Sequence, residues 1–192
     1  MAQTEINSAK RAGGHLIVLA APSGTGKSTI VGRLRDSGAV MLSISHTTRP
    51  PRAGERHGEQ YFFTGEEEFE SMRERGAFLE WARVHDNYYG TSAQWVLDQL
   101  ACGKKVLLEI DCQGARQVRG KIPFVGIFVS PPSMDELRRR LQKRGSDSAA
   151  DIVRRLAAAE AEMRSRDEFD HVIINDDLDT AVQKISGIIA AL

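Results

Sequence analysis

The segment APSGTGKST, which begins at Ala21, has the glycine, lysine and hydroxyl spacing of a phosphate-binding loop. Gly24 and Gly26 would let backbone N–H groups converge on phosphate oxygens, and the following helix would add its N-terminal partial positive charge. Lys27 would reach the β- and γ-phosphates of a nucleoside triphosphate, and the Ser28 hydroxyl is a suitable ligand for Mg²⁺. Ala21 stands where the usual pattern has its first glycine. Because it ends the preceding strand, we expect the alanine to matter little.

Two arginines, Arg49 and Arg52, flank a Pro-Pro pair that favours a polyproline II segment. That helix has about three residues per turn, so the two guanidinium groups would point the same way and form a bidentate phosphate clamp. Ser45 and Tyr61 would add neutral hydrogen bonds. On spacing alone, a solvated basic loop is the alternative.

Glu80 lies in the stretch FLEWARV, where strand alternation predicts that it shares a face with Phe78, Ala82 and Val84. A carboxylate on such a face needs hydrogen-bond donors to satisfy it. Guanine offers two donors on one edge, N1–H and N2–H₂, and adenine cannot present that pair. A structural salt bridge is the alternative role for this carboxylate.

Other polar residues follow the predicted strands. Asp111 ends the segment KVLLEID, and at the carboxyl end of a parallel strand it would face the ligand crevice. There it would order Mg²⁺-bound water or contact guanine, and the sequence leaves both roles open. Asn175, in the segment INDD, is placed either to contact adenine or to cap the end of a strand.

The segment LRRRLQKRGSDSAADIVRRL predicts a second cluster of positive charge. Arg140 and Arg144 are four residues apart, so they would be neighbours on one helix face, where like charges repel weakly. Gly145 would end this helix where a mobile flap could begin. An exposed basic helix is the alternative.

Four apolar runs have the length and composition of buried parallel strands, namely HLIVLA, KVLLEI, FVGIFV and HVIIN. Helical patterns separate them, and strands that alternate with helices predict an α/β fold with a parallel sheet. Residues 45–91 break the pattern with prolines, glycines and aromatics, so we expect an inserted α+β lobe there. We expect residues 15–44 and 92–192 to form a P-loop core in which helices flank the sheet. Residues 1–14 are predicted to be a flexible leader.

The composition excludes several classes of function. The 192 residues fit one compact domain, and 26 basic against 26 acidic residues give no sign of a nucleic-acid or membrane-surface protein. The polar N-terminal stretch lacks the apolar region of a signal peptide, and no apolar run approaches the roughly 20 residues that span a bilayer. The two cysteines predict neither a zinc site nor a disulfide framework. We therefore expect a cytoplasmic protein that binds small anions and has neither nucleic acid nor membrane as a partner.

Taken together and in this order, several segments resemble the guanylate kinase family: APSGTGKST, SISHTTRPPRAGE, EQYFF, FLEWARV, NYYGTS, LLEIDCQGA and INDDLD. The resemblance implies a P-loop kinase that transfers the γ-phosphoryl group of ATP to GMP or dGMP, with Mg²⁺ as cofactor. It also implies a Q-G-A turn after Asp111 and a small helical lid at about residues 140–155. The family often has Asp where this chain has Glu109.

The same resemblance assigns roles to individual residues. ATP binding falls to Ser23, Gly24, Thr25, Gly26, Lys27, Ser28, Thr29 and Asn175. GMP binding falls to Ser45, Arg49, Arg52, Tyr61, Glu80, Tyr89, Thr91 and Asp111. The expected catalytic residues are Lys27, Arg49, Arg140, Arg144 and Arg155, and the expected Mg²⁺ ligand is Ser28, with Asp111 acting through water.

Two other functions remain possible on the sequence. A non-enzymatic interaction module of the same fold would lack phosphate-binding residues, and the intact Gly24, Gly26, Lys27 and Ser28 argue against it. A kinase for another small phosphorylated acceptor is the closer alternative, and Glu80 is the residue that would discriminate. The sequence leaves monomer and homodimer equally open.

Overall fold

The computed structural model describes residues 13–84, 86–143 and 148–192. The predicted leader at residues 1–14 therefore lies almost entirely outside the described residues, and so do Arg144 of the predicted lid and the helix end predicted at Gly145. Gly14 lies against the backbone of Leu100, where an added Cβ atom would be 2.0 Å from the carbonyl oxygen. Only glycine fits that contact, which positions the chain immediately before the first strand.

A five-stranded parallel sheet forms the centre of the core. Its strands are β1 (His15–Ala20), β2 (Met41–Leu42), β7 (Lys105–Glu109), β8 (Val125–Ser130) and β9 (His171–Ile174). Their spatial order is β2-β7-β1-β8-β9, so the strand that precedes the glycine loop is central. The predicted parallel α/β sheet is confirmed, whereas the short β2 was not recognised from the sequence.

Within the described residues the α-helices are α1 (Lys27–Asp36), α2 (Glu66–Glu74), α3 (Ala93–Ala101), α4 (Cys112–Arg119), α5 (Met134–Lys143), α6 (Ala149–Met163) and α7 (Leu178–Ala190). Helices α1, α3, α4 and α7 flank this sheet, whereas α2 packs on a smaller sheet. Alternate strand residues face opposite sides, as the strand period of two requires. Leu16 and Val18 pack with residues of α3 and α4, while Ile17 and Leu19 pack with residues of α1 and α7. In this part of the chain, no helix has the length and apolar character needed to cross a membrane.

Strand β9 departs from the prediction that each strand is covered on both faces. Ile173 is buried, but Val172 is 43% exposed and Ile174 is 56% exposed. The strand lies at the edge of the sheet and pairs with β8. Its apolar sequence therefore belongs to a strand that is buried on one face.

A smaller four-stranded sheet follows β2 in the chain. Its strands are β3 (His46–Thr47), β4 (Phe62–Phe63), β5 (Phe78–Val84) and β6 (Asn87–Ser92), in the spatial order β4-β3-β6-β5. Strands β3 and β4 are parallel, and the other pairs are antiparallel. Phe69 and Met72 of α2 pack with Phe78 of β5, so this unit has a small core of its own.

Helices α5 and α6 pack against each other near the predicted lid. Leu137 and Leu141 of α5 contact a cluster that includes Ala159 and Leu156 of α6. An added Cβ atom on Gly24 would be 2.8 Å from Leu141 Cδ2 and 3.0 Å from Leu137 Cδ1. Helix α5 therefore lies directly against the glycine loop.

Candidate active site

The glycine loop connects the end of β1 to α1. Gly24 and Gly26 both have φ of 92°, a left-handed conformation that favours glycine. An added Cβ atom on Gly26 would also lie 2.8 Å from Asn175 Nδ2. Together with Lys27 and Asp111, the loop lines a cavity of about 280 Å³. The backbone shape expected of a phosphate-binding loop is therefore present.

Two buried polar side chains hold this loop in place. The Thr25 hydroxyl donates to the Pro22 carbonyl at 2.7 Å, and Asn175 Nδ2 donates to the Thr25 carbonyl at 2.6 Å. Asn175 is only 4% exposed. This placement favours a role in positioning the loop over the expected contact with adenine.

Lys27 and Ser28 begin α1 and point toward the end of β7. Lys27 Nζ donates to the Ile110 carbonyl at 3.2 Å, and the Ser28 hydroxyl donates to Glu109 Oε1 at 2.9 Å. Glu109 was not among the predicted site residues. The sequence did contain one sign of its role, because Glu109 ends an apolar run that predicts a strand. In the structure this strand lies beside β1, and Glu109 pairs with Leu19 just before the glycine loop.

Asp111 lines the same cavity but also begins a helix. Its Oδ1 atom accepts a hydrogen bond of 2.7 Å from the Gly114 backbone N–H, as an N-cap residue of α4. The expected Q-G-A turn is therefore wrong, because residues 113–115 lie in the first turns of α4. One oxygen of the Asp111 carboxylate is thus engaged in the fold.

The P-loop cavity also contains an acidic residue that the sequence analysis did not single out. Glu162, near the end of α6, lines it together with Lys27. Burial raises the pKa of Glu162 above its ordinary value, although Lys27 acts in the opposite direction. A carboxyl group that takes up a proton more easily repels a bound phosphate less. The helical pattern of α6 gave no signal that distinguished this glutamate from its neighbours.

Ala21 lies at the edge of the P-loop cavity and also packs in the apolar core. It is 5% exposed and belongs to the apolar cluster that includes Ile30 and Val31. We expect Ala21→Gly, which restores the usual loop pattern, to lower the free energy of unfolding by about 0.5–1 kcal/mol. Urea unfolding measures that loss. The KM for ATP should stay unchanged, and a change of several fold in KM would contradict this assignment.

On the opposite side of the cleft, Arg49 is held between a carboxylate and aromatic rings. Its Nη2 donates to Glu55 Oε1 at 2.9 Å, its Nη1 donates to the Pro50 carbonyl at 2.8 Å, and its guanidinium lies 5.4 Å from the centre of the Tyr61 ring. The hydrogen bond with Glu55 raises the pKa of Arg49 further above its ordinary value. The Tyr61 and Tyr89 rings meet edge to face at 5.8 Å. The structure therefore brings Arg49, Tyr61 and Tyr89 together as expected.

Glu55 joins the two predicted phosphate-clamp arginines. Its Oε2 atom accepts a 2.7 Å hydrogen bond from the Arg52 backbone N–H, while its Oε1 atom accepts from Arg49. The Arg52 side chain is exposed. Sequence reasoning missed Glu55, although it ends the segment TTRPPRAGE that suggested the clamp.

A cavity of about 120 Å³ connects the two sides of the cleft. It is lined by Thr91 of β6, by Ser45 and Tyr61 from loops next to the smaller sheet, and by Glu109 of β7. Three of the predicted acceptor residues thus line the same cavity as the carboxylate that contacts Ser28.

Glu80 and Thr91 form a buried pair on adjacent strands. Thr91 Oγ1 donates to Glu80 Oε1 at 2.5 Å, and the two residues are 1% and 7% exposed, respectively. Burial raises the pKa of Glu80 above its ordinary value, against the effect of the Thr91 hydrogen bond. The alternative role of Glu80, a structural salt bridge, is therefore not supported, because its hydrogen-bond partner is the hydroxyl group of Thr91.

The expected face of Glu80 was partly wrong because β5 contains a bulge. Phe78 pairs with Ser92 and Glu80 pairs with Thr91, so one extra residue is inserted between them. Phe78 packs with Trp81 in the core of the smaller unit, and Glu80 faces the other way. Val84 is 47% exposed rather than buried with them.

Of the predicted lid arginines, Arg140 and Arg155 lie in the described residues. Arg140 Nε donates to Glu136 Oε1 at 2.8 Å on the same helix. Glu136 also binds Arg139, and the two arginines lower the pKa of Glu136 to about 2. Arg155 is partly buried on α6. Arg140 thus shares the carboxylate of Glu136 with Arg139 within α5, the helix that packs against Gly24.

The combination of a parallel sheet, a P-loop after its central strand and a carboxylate at the end of the neighbouring strand defines a P-loop kinase. A gluconokinase from Sinorhizobium meliloti 1021 shares this fold, with a TM-score of 0.51 and 15% identity over 92% of each chain. The family profile described as guanylate kinase matches residues 13–192, and the chain belongs to the guanylate kinase family.

Individual relatives agree with this membership. A guanylate kinase from Dechloromonas aromatica (strain RCB) is 56% identical over 180 residues, which cover 93% of this chain and 89% of that protein. The crystal structure of a guanylate kinase from Anaplasma phagocytophilum has a TM-score of 0.70 and 34% identity, and it covers 94% of this chain and 86% of that one. The expected family is therefore confirmed over nearly the whole chain.

Proposed function

We propose that the P-loop holds ATP and the smaller sheet holds GMP, in an enzyme that transfers the γ-phosphoryl group of ATP to GMP. The products are ADP and GDP. The observation that carries the residue assignment is the buried Glu80–Thr91 pair, because it offers a carboxylate for the two donors on the guanine edge. Thr91 also lines the cavity that extends to Glu109 on the donor side.

On the donor side, the backbone of residues 23–29 would surround the ATP phosphates. Lys27 would neutralise charge on the β- and γ-phosphates, and Asn175 would keep the loop in shape through its bond to Thr25. The lid arginines Arg140 and Arg155 would approach the transferring group when the lid closes, with Arg144 beyond the described residues in the same role.

On the acceptor side, Arg49 and Arg52 would bind the GMP phosphate, with hydroxyl groups from Ser45, Tyr61 and Tyr89. A guanidinium has five N–H donors, and the Arg49 bonds to Glu55 and Pro50 leave donors for phosphate oxygens. The assigned residues bind phosphate and base rather than the ribose 2′-hydroxyl. We therefore propose that dGMP is also a substrate.

Phosphoryl transfer needs alignment and charge stabilisation more than covalent catalysis. The acceptor is a phosphate oxygen that is already largely ionised near neutral pH, so no general base is required. The chain contributes by holding the two phosphate groups in line, by supplying positive charge around them and by excluding water. We assign the core to residues 15–44 and 92–192, the GMP-binding lobe to residues 45–91 and the lid to about residues 140–155. A cytoplasmic location remains our prediction.

The residues near the P-loop fit Mg²⁺. Ser28 and Glu109 present a hydroxyl and a carboxylate oxygen in contact with each other, and Asp111 adds a carboxylate in the same cavity. The described segments contain no cluster of three or more His, Cys, Asp and Glu side chains that could hold a metal ion. Mg²⁺ commonly uses one or two carboxylates plus substrate phosphates, so that donor set is sufficient. When bound, the ion would supply positive charge that stabilises the triphosphate during transfer.

An ADP-release assay with GMP, AMP, CMP and UMP as acceptors tests the assignment. GMP should be the preferred acceptor by a factor of about 100 or more, because a site built to bind N–H donors rejects bases that lack them. Equal turnover of GMP and AMP would overturn the proposed role of Glu80.

Glu80 should also make GMP affinity depend on pH. Its pKa is raised by burial, so it takes up a proton at a higher pH than an exposed glutamate. A protonated carboxyl cannot accept from both guanine donors, and we expect the KM for GMP to rise, toward about 100-fold, as pH falls through that raised pKa. Steady-state KM values across this range measure the effect. Glu80→Gln should have the high KM at every pH, and a wild-type pH profile in that variant would contradict the proposal.

The same pKa shift has a consequence for the ligand-free protein. Folded Glu80 keeps its proton to a higher pH than in the unfolded chain, so its contribution to stability is present at low pH. That contribution is lost as pH rises through the raised pKa. Urea unfolding should show this loss in the wild type and not in Glu80→Gln. Parallel stability curves for the two proteins would count against it.

A further inference from the structure

The strand that carries Glu80 is held from outside its own sheet by helix α4. Strand β5 lies at the edge of the smaller sheet. Gln117 of α4 binds its free side, because Gln117 Oε1 accepts from the Trp81 backbone N–H at 3.1 Å and Gln117 Nε2 donates to the Trp81 carbonyl at 3.0 Å. The amide thus replaces a neighbouring strand at the residue that follows Glu80.

Lys121, two residues after the end of α4, binds the bulge itself. Its Nζ atom donates to the carbonyl oxygens of Phe78 and Leu79, both at 2.8 Å. These are the two residues that precede Glu80 and that contain the register shift. A bulge interrupts the regular ladder, and the ammonium group provides a partner for these carbonyl groups.

The carboxylate of Glu80 also lies against α4. An added Cβ atom on Gly114 would be 3.3 Å from Glu80 Oε2, so glycine leaves the room that this side chain occupies. The N-cap residue of α4, Asp111, lines the cavity of the P-loop. A single helix therefore connects the donor side to the strand that carries the base-reading carboxylate.

The bulge decides which way Glu80 faces. Without the inserted residue, Glu80 would share the face of Phe78 and would point into the small apolar core. With it, Glu80 meets Thr91 on the other face. Contacts that stabilise the bulge therefore control the direction of the carboxylate.

We propose that Gln117 and Lys121 are positioning residues for guanine selection, which act by fixing the β5 bulge so that Glu80 faces the base. The inference rests on the proposed function of Glu80 as the residue that binds the guanine edge. Neither side chain needs to touch the nucleotide. Their effect should appear in the choice between purine bases, because they act on the direction of one carboxylate.

The experiment compares kcat/KM for GMP and for inosine monophosphate, which lacks only the N2 amino group. The variants Gln117→Met and Lys121→Met keep an unbranched chain and remove the hydrogen-bonding group, and Lys121→Arg keeps a cation. The matched controls are Gln183→Met and Lys184→Met, two exposed positions on α7.

We expect the GMP-to-IMP ratio to fall about tenfold in Gln117→Met and in Lys121→Met, a loss that corresponds to about 1.4 kcal/mol of discrimination. Lys121→Arg should retain most of the ratio, and the α7 controls should retain all of it. A role in stability alone would lower kcat/KM for both acceptors by the same factor. An unchanged ratio in both methionine variants would overturn the inference.

Combination with Glu80→Gln separates this inference from the proposed function. If the residues act through Glu80, adding Gln117→Met or Lys121→Met to Glu80→Gln should not change the ratio further. A full additional tenfold loss in the double variants would overturn the inference. If Glu80→Gln itself keeps the wild-type GMP-to-IMP ratio, the proposed role of Glu80 is wrong. If Glu80→Gln abolishes the preference for GMP while Gln117→Met and Lys121→Met keep it, only the proposed role of Gln117 and Lys121 is wrong.

Discussion

Lys27→Met is expected to lower kcat by about 10²- to 10³-fold while the protein keeps its fold. Methionine keeps an unbranched side chain of nearly the same length and removes the charge. The ammonium group lies in the P-loop cavity, held by the Ile110 carbonyl at 3.2 Å, where it would stabilise charge on the transferring phosphoryl group. Removal of one preorganised charge-stabilising donor typically costs a factor of this size.

The loss in this variant should be one of chemistry rather than of folding. Lys27 occupies the first position of α1, and the buried residues of that helix are Ile30, Val31 and Leu34. We therefore expect thermal unfolding to shift by only a few degrees and GMP binding, measured by calorimetry, to be unchanged. The matched control is Lys184→Met on α7, which should keep wild-type kcat. A Lys27→Met enzyme with near-normal turnover would show that the loop does not hold the donor phosphates.

The features that could be predicted from the sequence are those whose cause is local. A buried run followed by a glycine loop and a helix is a signal within about 20 residues, and β1, the loop and α1 were predicted correctly. The parallel core followed from apolar runs separated by helical patterns. Local composition also indicated an insertion, because residues 45–91 lack long apolar runs and contain many prolines and glycines.

The features that were missed depend on contacts between distant parts of the chain. The direction of Glu80 changes at a bulge that is held by pairing with β6 and by Lys121, which lies 43 positions after Phe78 in the sequence. Alternation along β5 alone contains no sign of it. The hydrogen bond from Asn175 to Thr25 likewise could not be predicted from the sequence, because it depends on where β9 lies in the sheet.

Acidic residues were the most difficult to assign. Glu55, Glu109 and Glu162 each lie beside a basic or hydroxyl group of the site, yet none was predicted as a site residue. The sequence contains 26 acidic residues, most of which are expected on the surface, and type alone does not distinguish the few near the cleft. Of these three residues, Glu109 alone had a position that could have indicated a role in the site, because it ends a predicted parallel strand.

Arg49→Met is expected to lower kcat/KM for GMP by about 10³-fold, with a smaller effect on the KM for ATP. The guanidinium is partly buried against the Tyr61 ring, and its hydrogen bond with Glu55 holds it in that position. A charge in that position would bind the GMP phosphate through two parallel hydrogen bonds and would aim it at the donor. Methionine retains the packing on Tyr61 but provides no donor.

The control for this substitution is Glu55→Gln. Glutamine can still accept from the Arg52 backbone N–H, but it removes the negative charge beside Arg49. If Arg49 binds the phosphate directly, Glu55→Gln should change kcat/KM for GMP by less than about tenfold, since the guanidinium remains in place. If Arg49 merely holds the loop through its ion pair with Glu55, the two variants should lose activity to the same extent. Measured side by side with inorganic phosphate as a competitive inhibitor, a weakened phosphate affinity in Arg49→Met alone would establish the direct contact, because phosphate has no base for Glu80 to bind.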